Sequence, residues 1–392
     1  NKTFLNSVAL PYFNTTGIVR ISGLPYSYTG IPIVDYNDDN AYEECPADQC
    51  TVLDYSGGTL TFNTTHFTGF ATMDGGEGPT PPISSCPVTI NSSYTLTQSL
   101  TSNNTCITIG NSSMVFDCAG YSIRYNGNGA NNAYGIFSEN RTNITVQNCN
   151  IFDINETGTN AIAIQLGNVS NSTIALNNLT ANGTHTNKGI ELTVGVNNTM
   201  RQNNIIMIAA GNENFGITLK FASANSIIGN NINATGNKSS IGVWMNSSNY
   251  TTIVSNTMRG IANSSINSYL YTYGIAGRDC IGDNITNNII WTNDSYDSLT
   301  IAEYFGNANL VSNNRLSAQC PNSCYGVLMA DGSIVLNNTI NLTGNMTNSV
   351  LYGISAYNFN VVANNTILMR GSTNYGIMTG FGVSDDQSNI TN

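Results

Sequence analysis

Residues 352–367 read YGISAYNFNVVANNTI: an aromatic, a glycine and an isoleucine, then, ten residues after that isoleucine, a doubled asparagine and another isoleucine. The phrase recurs along the chain. Aligned on its first branched residue it gives Ile136, Ile164, Ile190, Ile217, Val243, Ile275, Ile301, Val327, Ile354 and Ile377, at intervals of 28, 26, 27, 26, 32, 26, 26, 27 and 23 residues. Ten to thirteen residues after an anchor comes an asparagine, usually doubled: Asn148, Asn177, Asn203, Asn230, Asn256, Asn287, Asn313, Asn337 and Asn364. Two markers on one beat identify a repeat architecture.

Around each anchor, apolar residues fall at every second place, as in Ile190/Leu192, Ile217/Leu219, Val243/Met245 and Val327/Met329, which is the period of a strand. Apolar pairs precede the asparagines (Ile227-Ile228, Leu310-Val311, Val361-Val362) and a further apolar residue follows them (Ile232, Ile289, Ile340, Ile367). Each unit thus offers three short strands between Gly, Asn and Ser turns, and no helical period of useful length occurs. Three strands cannot bury a core alone, but stacked turns can. The sequence predicts an all-β chain dominated by a parallel β-helix of about ten to twelve rungs, spaced by about 4.8 Å.

In such a coil like residues stack on like. Asn177, Asn203, Asn230, Asn287, Asn313, Asn337 and Asn364 are expected to form an internal amide ladder, because asparagine tolerates a left-handed turn and its amide can bond to its equivalent one rung away. The aromatics two places before the anchors, Tyr134, Phe215, Tyr273, Tyr325, Tyr352 and Tyr375, share the anchors' side by strand alternation and are expected to stack there as a structural column. A carbohydrate-binding aromatic stripe is the rival reading. Trp244 has the opposite parity, with Phe137, Leu328 and Met378, and is expected on an outer face.

Composition narrows the function. Of 392 residues only 9% are charged, the net charge is −11 and there are four lysines, which argues against a nucleic-acid partner. The longest apolar run, around Ile205 to Ala210, is far short of the roughly 20 residues that span a bilayer, so no membrane insertion is expected within the chain. The first residue is Asn1, which suggests processing or a longer product.

The chain holds 63 Asn and 26 Asn-x-Ser/Thr acceptors, against about 13 expected by composition. The candidates for N-linked glycans are Asn14, Asn63, Asn91, Asn111, Asn140, Asn155, Asn168, Asn182, Asn197, Asn237, Asn246, Asn263, Asn293 and Asn345. Asn-rich turns would create some of these as a by-product. A glycan coat would supply the solubility that so few charges cannot, and places the chain outside the cell, at its surface. The nine cysteines agree. CPADQC (Cys45, Cys50) and CPNSC (Cys320, Cys324) are short loops that local disulfides could close; a zinc site built from them would have poor ligands, with two histidines in the whole chain. Cys280 has no evident partner.

From about residue 86 to the end, the repeat resembles the pectin-lyase-like right-handed parallel β-helix proteins. Its entrance, CPVTINSSYTLTQSL … CITIGNSSMVFDCAGYSI, is similar to the opening turns of archaeal surface β-helix proteins. In that setting Cys118 and Cys149 fall at matching places in successive turns, and Cys86 with Cys106 is the other expected pair. Residues 1–73 lack the beat; their runs GIVRISGL, IPIVDY, CTVLDYS and TLTFNTTHFTGFA read as a small antiparallel sandwich, and CTVLDYSGGTLTFNTTHFTGF resembles an Ig-like module of archaeal surface proteins. A Gly/Pro linker, residues 74–85, joins it to the β-helix of 86–392.

Pectin-lyase-like folds often carry polysaccharide hydrolases and lyases, which need carboxylates gathered from adjacent rungs. Asp279 and Asp283 lie beside Arg278, and Glu303 follows one rung later, but the register points Glu303 inward and sets Asp279 level with Phe305. The phrases NTD, GHG and RIK of galacturonan-cleaving relatives are absent; His66 and His185 have no evident partner, and the acid pair Asp385-Asp386 reads as a solvated terminal loop. No catalytic residue, metal or cofactor is expected. The sequence therefore predicts a non-enzymatic extracellular structural protein: a glycosylated cell-surface, S-layer-like or filament subunit with an adhesive role. It would associate with identical subunits through the N-terminal module, with surface carbohydrate as a further partner. The alternative is a polysaccharide lyase, a glycoside hydrolase or a carbohydrate-binding β-helix.

Overall fold

A computed structural model describes residues 16–24, 30–36, 42–46, 48–56, 58–65, 69–73, 83–129, 132–155, 160–183, 186–209, 213–262, 272–357, 360–379 and 389–391. The chain divides into two compact units, Asn1–Pro82 and Ile83–Asn392.

The first unit holds two three-stranded antiparallel sheets. One contains Gly17–Ser22, Thr59–Thr64 and Cys50–Ser56; the other contains Glu43–Glu44, Ile31–Asp35 and Gly69–Met73. Alternate residues turn inward, so Val19, Ile21, Val34, Leu60, Phe62 and Phe70 form one core, with Phe62 meeting Phe70 edge to face at 5.4 Å. The run TLTFNTTHFTGFA is two strands, one in each sheet. Residues 74–82 of the expected linker lie outside the described residues, whereas 83–85 already belong to the second unit, where the Ile83 N–H donates to the Tyr94 hydroxyl at 2.7 Å.

The second unit is a parallel β-helix of three sheets with 12, 12 and 11 strands. In the first, the anchor sheet, all ten anchors pair in one column from Ile136 to Ile377, which continues upstream to Ile107 and Val88. The second sheet carries the short apolar runs before the asparagines, such as Ser226–Ile228 and Leu310–Ser312; the third carries the strands after them, such as Asn231–Gly236 and Arg315–Cys320. Branched residues from all three fill a single core.

The asparagine columns lie where the second sheet turns into the third. Asn177, Asn203, Asn230, Asn256, Asn288, Asn314, Asn338 and Asn365 form an unbroken ladder, each of the first seven donating its Nδ2 to the next Oδ1 at 2.9–3.1 Å. The same Oδ1 also accepts a backbone N–H, and the second Nδ2 hydrogen reaches a backbone carbonyl, as Asn203 does to Ile174. The amide is fully used, which is what makes its burial tolerable.

The expectation for Asn287, Asn313, Asn337 and Asn364 is corrected. They adopt left-handed φ of 56–58° and sit one place before the ladder, as Leu176, Gln202, Gly229 and Ser255 do on earlier rungs. Two jobs need two residues: one turns the chain, the next bonds along the stack. A doubled asparagine fills both. Upstream, the Cys118–Cys149 disulfide takes the ladder's place, and the Cys149 N–H donates to Asn177 Oδ1.

The corner between the first and second sheets holds another buried polar column. Ser172 donates its N–H to Asn198, Asn198 to Asn225, Thr251 to Asp283, Asp283 to Asn309 and Ser333 to Asn360. At the far end, Asn389–Thr391 adds a strand beside Val361–Ala363.

Candidate functional site

The aromatics before the anchors face outward. Strict alternation fails at the Gly–anchor step: a Cβ on Gly216 would come within 2.2 Å of the core Ile232 side chain, so glycine and the following Ile217 both point inward. Having no side chain, glycine makes the double inward step possible. It turns the aromatic one place earlier to the outside, and the expectation of an internal aromatic column is corrected accordingly. The outer column reads Tyr134, Ile162, Lys188, Phe215, Ile241, Tyr273, Leu299, Tyr325, Tyr352 and Tyr375. Tyr325 stacks on Tyr352 with ring centroids 4.5 Å apart, Tyr352 on Tyr375 at 5.3 Å, and Tyr375 is 45% exposed. Trp244 occupies the neighbouring outer column with Phe137, Leu328 and Met378, as its parity predicts.

On this face Glu191, only 5% exposed, accepts from Lys188 Nζ at 2.5 Å and from Lys220 Nζ. Burial opposes its charge, but Lys188 and then Lys220 outweigh it and hold the carboxyl below the usual glutamate range. In the sequence this cluster reads as Lys188-x-x-Glu191 with Lys220 one rung on, so its third member is 29 residues from the carboxylate.

Further along, Leu299, Ala302 and Leu328 form an apolar patch on the outer face, packed by Tyr273, Tyr304, Tyr325 and Tyr357. It borders a groove of about 460 Å³ lined by Tyr304, Phe305, Gly306, Asn307, Ala330, Asp331 and Tyr357. The strand register, continued by one or two places, puts Tyr304, Ala330 and Tyr357 at equivalent positions of three successive rungs. Two rungs separate the tyrosines by about 10 Å, with a methyl group as the floor between them. Phe305 is 77% exposed at a left-handed turn position, with Asp279 at the equivalent place one rung before it.

The other acids singled out lie elsewhere. Glu303 points inward from the anchor sheet, as its register predicts, and Asp283 sits in the corner polar column. Burial raises both carboxyls, Asp283 to about 7, and raises the Cys280 thiol. His66, His185, Asp385 and Asp386 lie outside the described residues.

The four disulfides are Cys45–Cys50, Cys86–Cys106, Cys118–Cys149 and Cys320–Cys324. Among the glycan candidates, Asn14 and Asn263 lie outside the described residues and Asn182 is in strand Asn178–Gly183. The remaining eleven, Asn63, Asn91, Asn111, Asn140, Asn155, Asn168, Asn197, Asn237, Asn246, Asn293 and Asn345, are half-buried or exposed.

No protein-family model and no curated protein matches the chain. Several solved structures are similar to it over part of their length. DFA-IIIase from Arthrobacter chlorophenolicus A6 is 11% identical, with a TM-score of 0.43 over 72% of this chain and 74% of its own. The GH136 lacto-N-biosidase from Eubacterium ramulus is 11% identical, with a TM-score of 0.43 over 77% of this chain and 62% of its own. The A-module of the Azotobacter vinelandii mannuronan C-5 epimerase AlgE6 is 14% identical, with a TM-score of 0.31 over 75% and 80%. At these identities the likeness is one of fold. The expectation of a non-enzymatic chain is corrected: these neighbours are carbohydrate enzymes on a β-helix. That expectation rested on the absence of three short phrases and on a register count confined to Asp279, Asp283 and Glu303, whereas a β-helix can assemble a site on any set of adjacent rungs, between residues some 26 positions apart. The chain is a parallel β-helix of three sheets.

Proposed function

We propose that this chain is a carbohydrate-active protein that receives a sugar ring in the slot between Tyr304 and Tyr357 and guides the rest of the glycan along the outer tyrosine column. The observation that supports this reading most is the slot itself: two aromatic walls two rungs apart, Ala330 as the floor, and Asn307 and Asp331 at the margin. A pyranose or furanose ring presents an apolar C–H face and a rim of hydroxyls, and tyrosine offers the matching apolar body with a polar tip. The lining holds one carboxylate and no cationic side chain, which favours a neutral sugar over a uronate. Asp331 is then the group placed to exchange a proton with a bound glycan.

The extracellular setting belongs to the same proposal. Four disulfides and the surface position of the described acceptors support it, as does the resemblance of residues 86–123 to archaeal surface proteins.

The test is a panel of neutral oligosaccharides, scored for both binding and cleavage by the full chain. Ala330→Phe fills the slot and is expected to lower affinity at least tenfold, about 1.4 kcal/mol. Asp331→Asn is expected to keep binding and lose turnover. Retention by the wild type that is unchanged in Ala330→Phe would overturn the assignment.

A further inference from the structure

A cluster of three ionisable side chains lies inside the coil. Cys280, Asp283 and Glu303 are all buried, and one donor atom from each lies within 4.8 Å of the others. Cys280 is the one cysteine outside the disulfides, and its burial removes it from any bond to another chain.

Two columns change character here. Along the core, the residues two places after the anchors are Leu166, Leu192, Leu219 and Met245, then Gly277 and Glu303, then Met329 and Ala356. A Cβ on Gly277 would lie 1.9 Å from Glu303 Oε2, so the space that holds this carboxylate exists only because the rung before it has no side chain. In the corner column, Asp283 takes a place filled by Asn198, Asn225 and Asn309 on other rungs.

An amide at 283 would serve the column equally well. Asp283 Oδ1 accepts the Thr251 N–H at 2.7 Å, but its Oδ2 has no hydrogen-bond partner, and neither oxygen of the fully buried Glu303 has one. Unpartnered carboxylates are costly inside a core and are retained when a cation meets them. A thiol with two carboxylates, gathered around space cleared by a glycine, is a donor set for a borderline-soft divalent metal.

We propose that Cys280, Asp283 and Glu303 bind one zinc ion in the interior of the β-helix, closing the core during folding. The site is separate from the glycan slot and its role is structural. The ion enters before the rungs close, because the finished site is buried.

The full chain, produced or refolded with zinc and then dialysed against a weak chelator, is expected to retain one zinc per molecule by elemental mass spectrometry. Refolding with cobalt should give the near-ultraviolet thiolate-to-metal absorption band. Asp283→Asn restores the amide used on neighbouring rungs and is expected to fold, as judged by circular dichroism, while zinc content falls at least tenfold. Glu303→Gln provides the second reading, with the same loss. Metal-free wild-type protein recovered from zinc refolding, with the carboxyls simply protonated, would overturn the proposal. So would one zinc per chain retained in both variants.

Discussion

The two faces of the anchor sheet are made by the same strands and follow different rules. Inside, the anchor column is isoleucine or valine at every rung from Ile136 to Ile377; outside, one column runs Phe137, Gln165, Glu191, Thr218, Trp244, Ala276, Ala302, Leu328, Ser355 and Met378. Close packing restricts the inner column, since each residue meets its equivalent on the rungs before and after it. The outer face meets water, and its side chains can vary rung by rung. Residue choice there carries information that the fold does not require. The Tyr304–Ala330–Tyr357 alternation of large, small and large is information of this kind.

Substitutions separate the two regimes. Asn230→Leu should have the largest effect, because it strips the acceptor from the Asn203 N–H and Nδ2 and leaves Asn256 Oδ1 and the Met200 carbonyl short of a donor. A loss of about 4 kcal/mol is expected in urea unfolding. Ile354→Ala removes a fully buried anchor and should cost about 3 kcal/mol by the same measurement. Gly216→Ala forces a methyl group against Ile232 and the Gly242 carbonyl; about 2 kcal/mol is expected, with the fold intact.

The outer face should respond more weakly. Burial alone would raise the Glu191 carboxyl, but the lysines hold it below the ordinary value of 4.5. Its contribution is therefore fully present above pH 4.5 and is lost as the pH falls toward the lower folded-state value. Glu191→Gln should remove this acid-side slope, about 1 kcal/mol, in a series of unfolding curves from pH 6 to pH 3. Tyr352→Ala, two residues from Ile354, deletes two ring contacts on a half-exposed face and should cost about 1 kcal/mol or less. A cost equal to that of Ile354→Ala would place the tyrosines in the core and dissolve the distinction.

Much of the scaffold was legible because repetition averages out local ambiguity. The beat of the anchors places every rung in register, and the expected Cys118–Cys149 bond joins two successive rungs. What escaped was the detail within one rung. A doubled asparagine offers two candidates for one ladder, and only the left-handed φ of Asn313 shows that Asn314 is the bonded member. The Gly–anchor step breaks the period of two, so parity counted from Ile354 put Tyr352 on the wrong side. The slot was harder still, for Tyr304, Ala330 and Tyr357 are 26 and 27 residues apart and meet through stacking alone.

A crystal structure of the full chain with a neutral oligosaccharide chosen from the binding panel tests the central claim most directly. The account predicts one sugar ring between Tyr304 and Tyr357, over Ala330 and within hydrogen-bonding reach of Asn307 or Asp331. A sugar bound on the second or third sheet, with the slot holding only solvent, would contradict it.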